Sequence, residues 1–161
     1  MAIAARGVER AVALSRRPVS LAFLDLVGVN GVNRHHGEEA GTDLLAAVLG
    51  RLEDATTDFE RVWRIGGDEY LLLLPNRGRR SAMSRLRRLH WTVAGGSDPG
   101  DSGPVLRRLF RAGGATTGPA TPTSWDLYLA AAGALKVAKR HDRLIVWHWS
   151  GTPALGDPSM G

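Results

Sequence analysis

Residues 61–74 read Arg-Val-Trp-Arg-Ile-Gly-Gly-Asp-Glu-Tyr-Leu-Leu-Leu-Leu, and the fold turns on how that stretch is taken. Arg61 to Ile65 and Tyr70 to Leu74 are two strand-like runs, and Gly66 and Gly67 between them permit the positive φ of a tight turn. The stretch therefore predicts a β-hairpin with Asp68 and Glu69 at its tip. Upstream, Val19 to Leu26 is a nearly continuous apolar run between Pro18 and Gly28, as suits a strand buried on both faces. Asp25, near its end, is out of character with such a strand. From Glu38 to Leu52, Leu44, Leu45, Val48, Leu49 and Leu52 form one stripe of an amphipathic helix that should cover the sheet.

Farther out, residues 2–14 predict a short helix that ends near Pro18 and packs as an appendage. Residues 79–93 predict an arginine-rich helix, 94–104 a Gly/Ser/Asp/Pro loop, and 105–117 a glycine-interrupted strand. A helix over 124–140, N-capped at Ser124, and a strand over 144–149 complete the order. Strand, helix, hairpin, helix, strand is a βαββαβ pattern, whose two helices must lie on one face of a mainly antiparallel sheet. This is an α+β fold of ferredoxin-like or polymerase-palm type. The expected organisation is a helical extension over 1–17, one domain over 18–149, and a disordered tail over 150–161.

Composition narrows the chemistry. The 161 residues suffice for one domain with a closed core, and the absence of cysteine excludes disulfides, thiolate zinc sites and cysteine nucleophiles. Any metal must sit on carboxylate, imidazole or carbonyl. No apolar run is long enough to span a membrane and residues 1–12 carry Arg6, Glu9 and Arg10, so the expectation is a cytoplasmic protein without membrane contact. The 21 Lys+Arg against 16 Asp+Glu give a net charge of +5, which favours an anionic partner. Arg77, Arg79, Arg80, Arg85, Arg87 and Arg88 crowd one segment, and a solvated helix face is their plainest reading; a nucleic-acid partner is not expected. Gly28, Gly31 and Gly37 suggest a phosphate loop but lack its Gly-Lys-Ser/Thr ending, and adjacent His35 and His36 point apart. The five tryptophans are read as core and sheet-face residues. Asp25 and the Asp68-Glu69 pair remain: a strand end and a hairpin tip of one sheet can bring carboxylates together around a hard cation such as magnesium.

Arg64-Ile65-Gly66-Gly67-Asp68-Glu69-Tyr70 resembles the signature of the GGDEF diguanylate cyclases, with Tyr70 in place of the final Phe. Phe23-Leu24-Asp25-Leu26 with Asn33, Gly37, Gly41 and Leu45 is similar to the family's upstream block. Ala134-Leu135 with Ala138-Lys139 and Arg143 is similar to its closing segment. The resemblance implies that Asp25, Asp68 and the backbone carbonyl of Leu26 hold Mg2+ (Mn2+ being a substitute). Asp68 and Glu69 would be catalytic, with Glu69 beside the reacting phosphate or attacking hydroxyl. Asn33 and position 42 would face the base, Gly66 and Gly67 would carry the nucleotide, and Lys139 and Arg143 would hold the terminal phosphates. It implies condensation of two GTP into cyclic di-GMP with release of pyrophosphate, by a homodimer in which each subunit presents one nucleotide.

Departures from the pattern qualify that expectation. Val27 replaces a second Asp, Val29 a Phe, Asn30 a Lys, Arg34 an Asp and Glu38 a His, and Thr42 replaces the Asp that pairs with the guanine edge. The family's inhibitory Arg-x-x-Asp is also missing, with Thr57 and Glu60 at its positions. These changes keep the metal ligands and alter the base pocket, which admits ATP as a second substrate. They also support the alternative of a degenerate module that binds nucleotide or a protein partner without turnover.

Overall fold

The computed structural model describes residues 2–95 and 109–148. The elements run α1 (Ala2–Leu14), β1 (Ser20–Leu26), α2 (Val29–Ala55), β2 (Arg61–Gly66), β3 (Glu69–Leu74), α3 (Arg79–Val93), β4 (Phe110–Thr116), α4 (Ser124–Arg140) and β5 (Ile145–Trp147). They form one five-stranded sheet of order β2-β3-β1-β4-β5, antiparallel except where β5 pairs parallel with β4. The predicted hairpin and the α+β architecture are both present. Of the expected 105–117 strand, the first four residues lie outside the described residues, as do most of the 94–104 loop, Trp149 and the 150–161 tail.

Because successive side chains on a strand point to opposite faces, β1 divides its residues between two cores. Ala22, Leu24 and Leu26 face α2 and α3 with Tyr70, Leu72, Leu74 and Ala112, while Leu21 and Phe23 face α1 and α4 with Leu71, Leu73 and Ala115. The two helices of the βαββαβ unit thus share one face, as its connectivity requires. All seven β1 residues are buried, which explains why its sequence does not alternate.

Five expectations are corrected. The first helix is not an appendage: Ala4 and Val8 are buried in the second core, and Gly7 is small enough to let the Trp63 ring approach. Helix α2 begins nine residues earlier than its apolar stripe, and the glycines read as a possible phosphate loop belong to it: Gly28 at φ 94 precedes it and Gly37 at φ 87 kinks it. Helix α4 is capped by Thr123 rather than Ser124, because Thr123 and Asp126 form a reciprocal capping box. Among the tryptophans, Trp147 is buried but Trp125 is 65% exposed and stacks on Tyr128. Arginines of the basic helix are also not all solvated, since Arg85 reaches the buried Glu60.

Candidate active site

Two periodicities assemble the site. Asp25 follows Leu21 and Phe23 on the α4 face of β1, and strand register places Glu69 of β3 opposite it on one side and Arg111 of β4 opposite it on the other. Glu69, Asp25 and Arg111 therefore form a row across three strands at one end of the sheet. In α4, Leu127, Ala131, Ala134, Leu135 and Ala138 are the buried stripe, and Lys139 lies one turn beyond Leu135. That turn carries Lys139 over the row. Its Nζ lies 2.6 Å from Asp25 Oδ1 and 2.9 Å from Glu69 Oε1.

The close approach of α4 depends on β4 having no side chain at Gly113, where a Cβ would collide with the backbone of Ala134 and Leu135. At the hairpin tip Gly67 has φ 46 and its carbonyl accepts from Arg64 Nε at 2.9 Å. The carbonyl of Asp68 accepts from the amide of Leu26 at 2.9 Å, which fixes the tip against the end of β1. Tyr70 explains its own departure from the family pattern: its ring is buried and its hydroxyl donates to the Leu45 carbonyl at 2.8 Å, joining the hairpin to α2.

Burial pushes the Asp25 carboxyl above the ordinary aspartate range; the Lys139 ammonium pulls it down by hydrogen bond and charge, and the Asp68 and Glu69 carboxylates push it up again. For Lys139, burial lowers the ammonium's pKa, but its bonds to Asp25 and Glu69 outweigh this and the net shift is upward. Asp68 and Glu69 are thus both close enough to Asp25 to repel it, with the Lys139 ammonium bridging Asp25 and Glu69. Among the described residues no ready-made group of three or more His, Cys, Asp or Glu ligands is formed. The donor set still fits a hard divalent cation, since it is oxygen only and its mutual repulsion is what such an ion relieves.

The base-facing residues are less closely gathered. Asn33 packs against Gly41 across the Gly37 kink, where any Cβ on Gly41 would strike its amide, and its Oδ1 is buried without a hydrogen-bond partner among the described residues. Thr42 is exposed and its hydroxyl donates to the Glu38 carbonyl at 3.0 Å. Arg143 is exposed on the turn after α4. His35 and His36 hold their rings 6.4 Å apart on the exposed end of the first helical segment.

Glu60, at the position of the missing inhibitory aspartate, is buried. Arg85 Nη2 and Arg77 Nη2 reach its carboxylate at 2.6 and 3.2 Å, and the Thr57 amide donates to it at 3.1 Å. Sequence reasoning missed Arg111 and Asp142. Arg111 Nη1 lies 3.9 Å from Asp25 and its Nη2 3.0 Å from Asp142. The available signal was a lone charge in an apolar strand, but only the register shows that it faces Asp25.

An α+β palm with an acidic hairpin tip, a strand-end aspartate and a helix-borne lysine that bonds to the strand-end aspartate and to Glu69 is the arrangement that the sequence resemblance leads one to expect. A family profile described as "Diguanylate cyclase, GGDEF domain" matches residues 4–143, and the chain belongs to that family. Among solved structures, the GGDEF domain of YfiN, also called TpbB, from Pseudomonas aeruginosa is 21% identical, with TM-score 0.77, over 93% of this chain and 96% of that one. The active GGEEF domain of a diguanylate cyclase from Vibrio cholerae is 19% identical, with TM-score 0.74, over 91% and 94%. The GGDEF domain of DgcB from Caulobacter crescentus, solved in complex with c-di-GMP, is 19% identical with TM-score 0.74 over 89% and 86%. No curated protein sequence matches. Among the described residues no helix is long and apolar enough to cross a membrane.

Proposed function

We propose that this domain is a diguanylate cyclase: two subunits, each with one GTP on its Gly66–Glu69 turn, face each other so that each 3′-hydroxyl attacks the partner's α-phosphate and pyrophosphate leaves. The observation that carries the reading is the convergence of Asp25, Glu69 and Lys139 within hydrogen-bond distance. Asp25 and Asp68, with the Leu26 carbonyl, would hold Mg2+ or Mn2+, and such an ion would neutralise phosphate charge and favour ionisation of the attacking hydroxyl. Glu69 would stand beside the reacting phosphate or the attacking hydroxyl. Lys139 exchanges its carboxylate partners for the nucleotide's terminal phosphates when substrate and metal arrive, and Arg143 supplies the second cation. Asn33, whose Oδ1 is unpartnered against Gly41, would turn outward to accept from the exocyclic amine of guanine, a donor that adenine does not present at that edge.

The occupied Glu60 supports weak product inhibition, because the carboxylate that would face product is turned inward to Arg77 and Arg85. A second reading, a module that binds nucleotide without turnover, is favoured by Thr42, whose hydroxyl is already engaged with Glu38. Incubation of purified protein with Mg2+ and each NTP, with products separated by mass, decides between them. Cyclic dinucleotide formation supports the first reading, and intact nucleotide that is nonetheless bound supports the second.

A further inference from the structure

Arg111 belongs to the Glu69–Asp25–Arg111 row, yet neither the metal ligands nor the phosphate-holding pair includes it. Its guanidinium spans two carboxylates: Nη1 is 3.9 Å from Asp25 Oδ2, while Nη2 and Nε are 3.0 and 3.3 Å from Asp142 Oδ1. Asp142 sits at φ 51 in the turn between α4 and β5, a left-handed conformation that aspartate enters more readily than most side-chain-bearing residues. Arg143 is the next residue. Lys139 is still on the helix and is placed by it, but Arg143 lies past the helix end, where its amide donates to the Ala138 carbonyl at 2.9 Å and its side chain is exposed.

We propose that Arg111 is a positioning residue that ties the Arg143-bearing turn to Asp25, so that the metal-side carboxylate and the phosphate-side cation keep one relative geometry. The inference rests on the function proposed above. It also follows from the shape of the group: the guanidinium reaches its two carboxylates with different nitrogens, whereas an ammonium, as at Lys139, serves two carboxylates only where both come within hydrogen-bond distance of its single nitrogen. Anchoring to β4 is effective because the neighbouring backbone is itself fixed, the Ala112 amide donating to the Leu144 carbonyl at 2.8 Å. Arg111 thus acts on the substrate through Asp25, Asp142 and Arg143 rather than by touching it.

The test compares the parent with Arg111→Gln, Arg111→Lys, Asp142→Asn and the Arg111→Gln/Asp142→Asn double variant. Two readouts are used: hydrogen exchange without ligand, and binding of a GTP analogue with a non-cleavable α–β bridge in Mg2+, with GMP as control. In Arg111→Gln and Asp142→Asn, amides of residues 141–144 exchange faster while those of β1 and β3 do not change. The analogue's Kd rises about tenfold, as for loss of a charged hydrogen bond. GMP, which lacks the terminal phosphates, binds as before; the lysine variant does not recover the loss, and the double variant is no weaker than the worse single. Unchanged exchange at 141–144 in both single variants overturns the proposal, as does equal weakening of GMP and the analogue. A parent that binds no analogue overturns the proposed function instead, and the exchange arm still decides whether Arg111 holds the turn. Should Arg111→Gln fail to fold, Asp142→Asn, on a side chain 58% exposed, carries the same comparison.

Discussion

A carboxylate buried beside two others is held in place at a cost, and Asp25 shows how. Its raised pKa means that the folded state binds a proton there more tightly than the unfolded chain does, so its contribution favours folding below the ordinary aspartate value and is lost as pH rises through the folded value. At neutral pH the ionised side chain is therefore a strain that Lys139 only partly relieves. Asp25→Asn is predicted to melt no lower than the parent in metal-free buffer at neutral pH, while keeping less than a tenth of its turnover, since loss of a metal ligand removes several kcal/mol of charge stabilisation. Asp68→Asn, at the hairpin tip, is predicted to lose turnover to the same degree with its fold intact. Thermal melts beside initial rates check both, and a folded variant with more than about a tenth of parental turnover contradicts the metal assignment. Thr42 sets a subtler expectation. With its proton donated to Glu38, its oxygen offers lone pairs to guanine N1–H, whereas adenine N1 needs a donor and so must break that bond. An equimolar GTP and ATP incubation is predicted to yield cyclic di-GMP with a smaller share of mixed cyclic AMP-GMP, and Thr42→Asp to remove the mixed product. A parent that makes no adenine-containing product at all contradicts this.

Among the elements, the Glu60 cluster joins the segment leading into β2 to α3, and its pH dependence has the opposite sign. Burial raises the Glu60 carboxyl, but the hydrogen bonds from Arg85 and Thr57 and the charges of Arg85 and Arg77 overcome it and hold the pKa below the ordinary glutamate range. The cluster's contribution is therefore present above the unfolded value of about 4.3 and lost as pH falls through the folded value. Glu60→Ala is predicted to destabilise by about 3 kcal/mol near neutrality, because it strands Arg85 without its partner, and to flatten the acid limb of a stability-versus-pH curve. Denaturant melts from pH 7 to 3 on both proteins check it; parallel curves contradict it. Gly113→Ala is predicted to cost about 3 kcal/mol, since backbone of α4 rather than a movable side chain occupies the space, and to lower nucleotide affinity by lifting Lys139 from the row.

The same elements show what a sequence discloses. Helices α3 and α4 have the boundaries expected of residues 79–93 and 124–140, and the hairpin is where Gly66 and Gly67 predict it, though its strands run one residue farther, so that Gly66 pairs with Glu69 and the turn narrows to Gly67 and Asp68. Thr123 was missed as the cap although Asp126 stands three residues on, the spacing of a capping box. The start of α2 was missed because Gly28, Gly31 and Gly37 weaken a helix locally, and its buried residues pack against the sheet. Arg111 and Asp142 were out of reach for another reason: they are 31 residues apart and meet only once β4 has its register and α4 its turn.

At the scale of the molecule, the sheet carries a core on each face, and the site sits at the end where the α4 core gives way to charge. Asp25 was legible as a carboxylate out of place in an apolar strand; that Lys139 belongs with it at one site was implied only by the family resemblance, and that it bonds to Asp25 only by the structure, since the two are 114 residues apart in sequence and nothing local links them. In the proposed reaction each palm presents one nucleotide, so a second copy is needed, and rate per subunit is predicted to rise with protein concentration until dimers saturate. The central claim is that the Asp25, Asp68, Glu69 and Lys139 cluster makes a bond between two nucleotides. Purified protein incubated with Mg2+ and GTP, with products separated and weighed by mass spectrometry, tests it directly. The account predicts cyclic di-GMP and two pyrophosphates per product, both abolished in Asp68→Asn; GTP recovered intact at protein concentrations where dimers are demonstrated contradicts it.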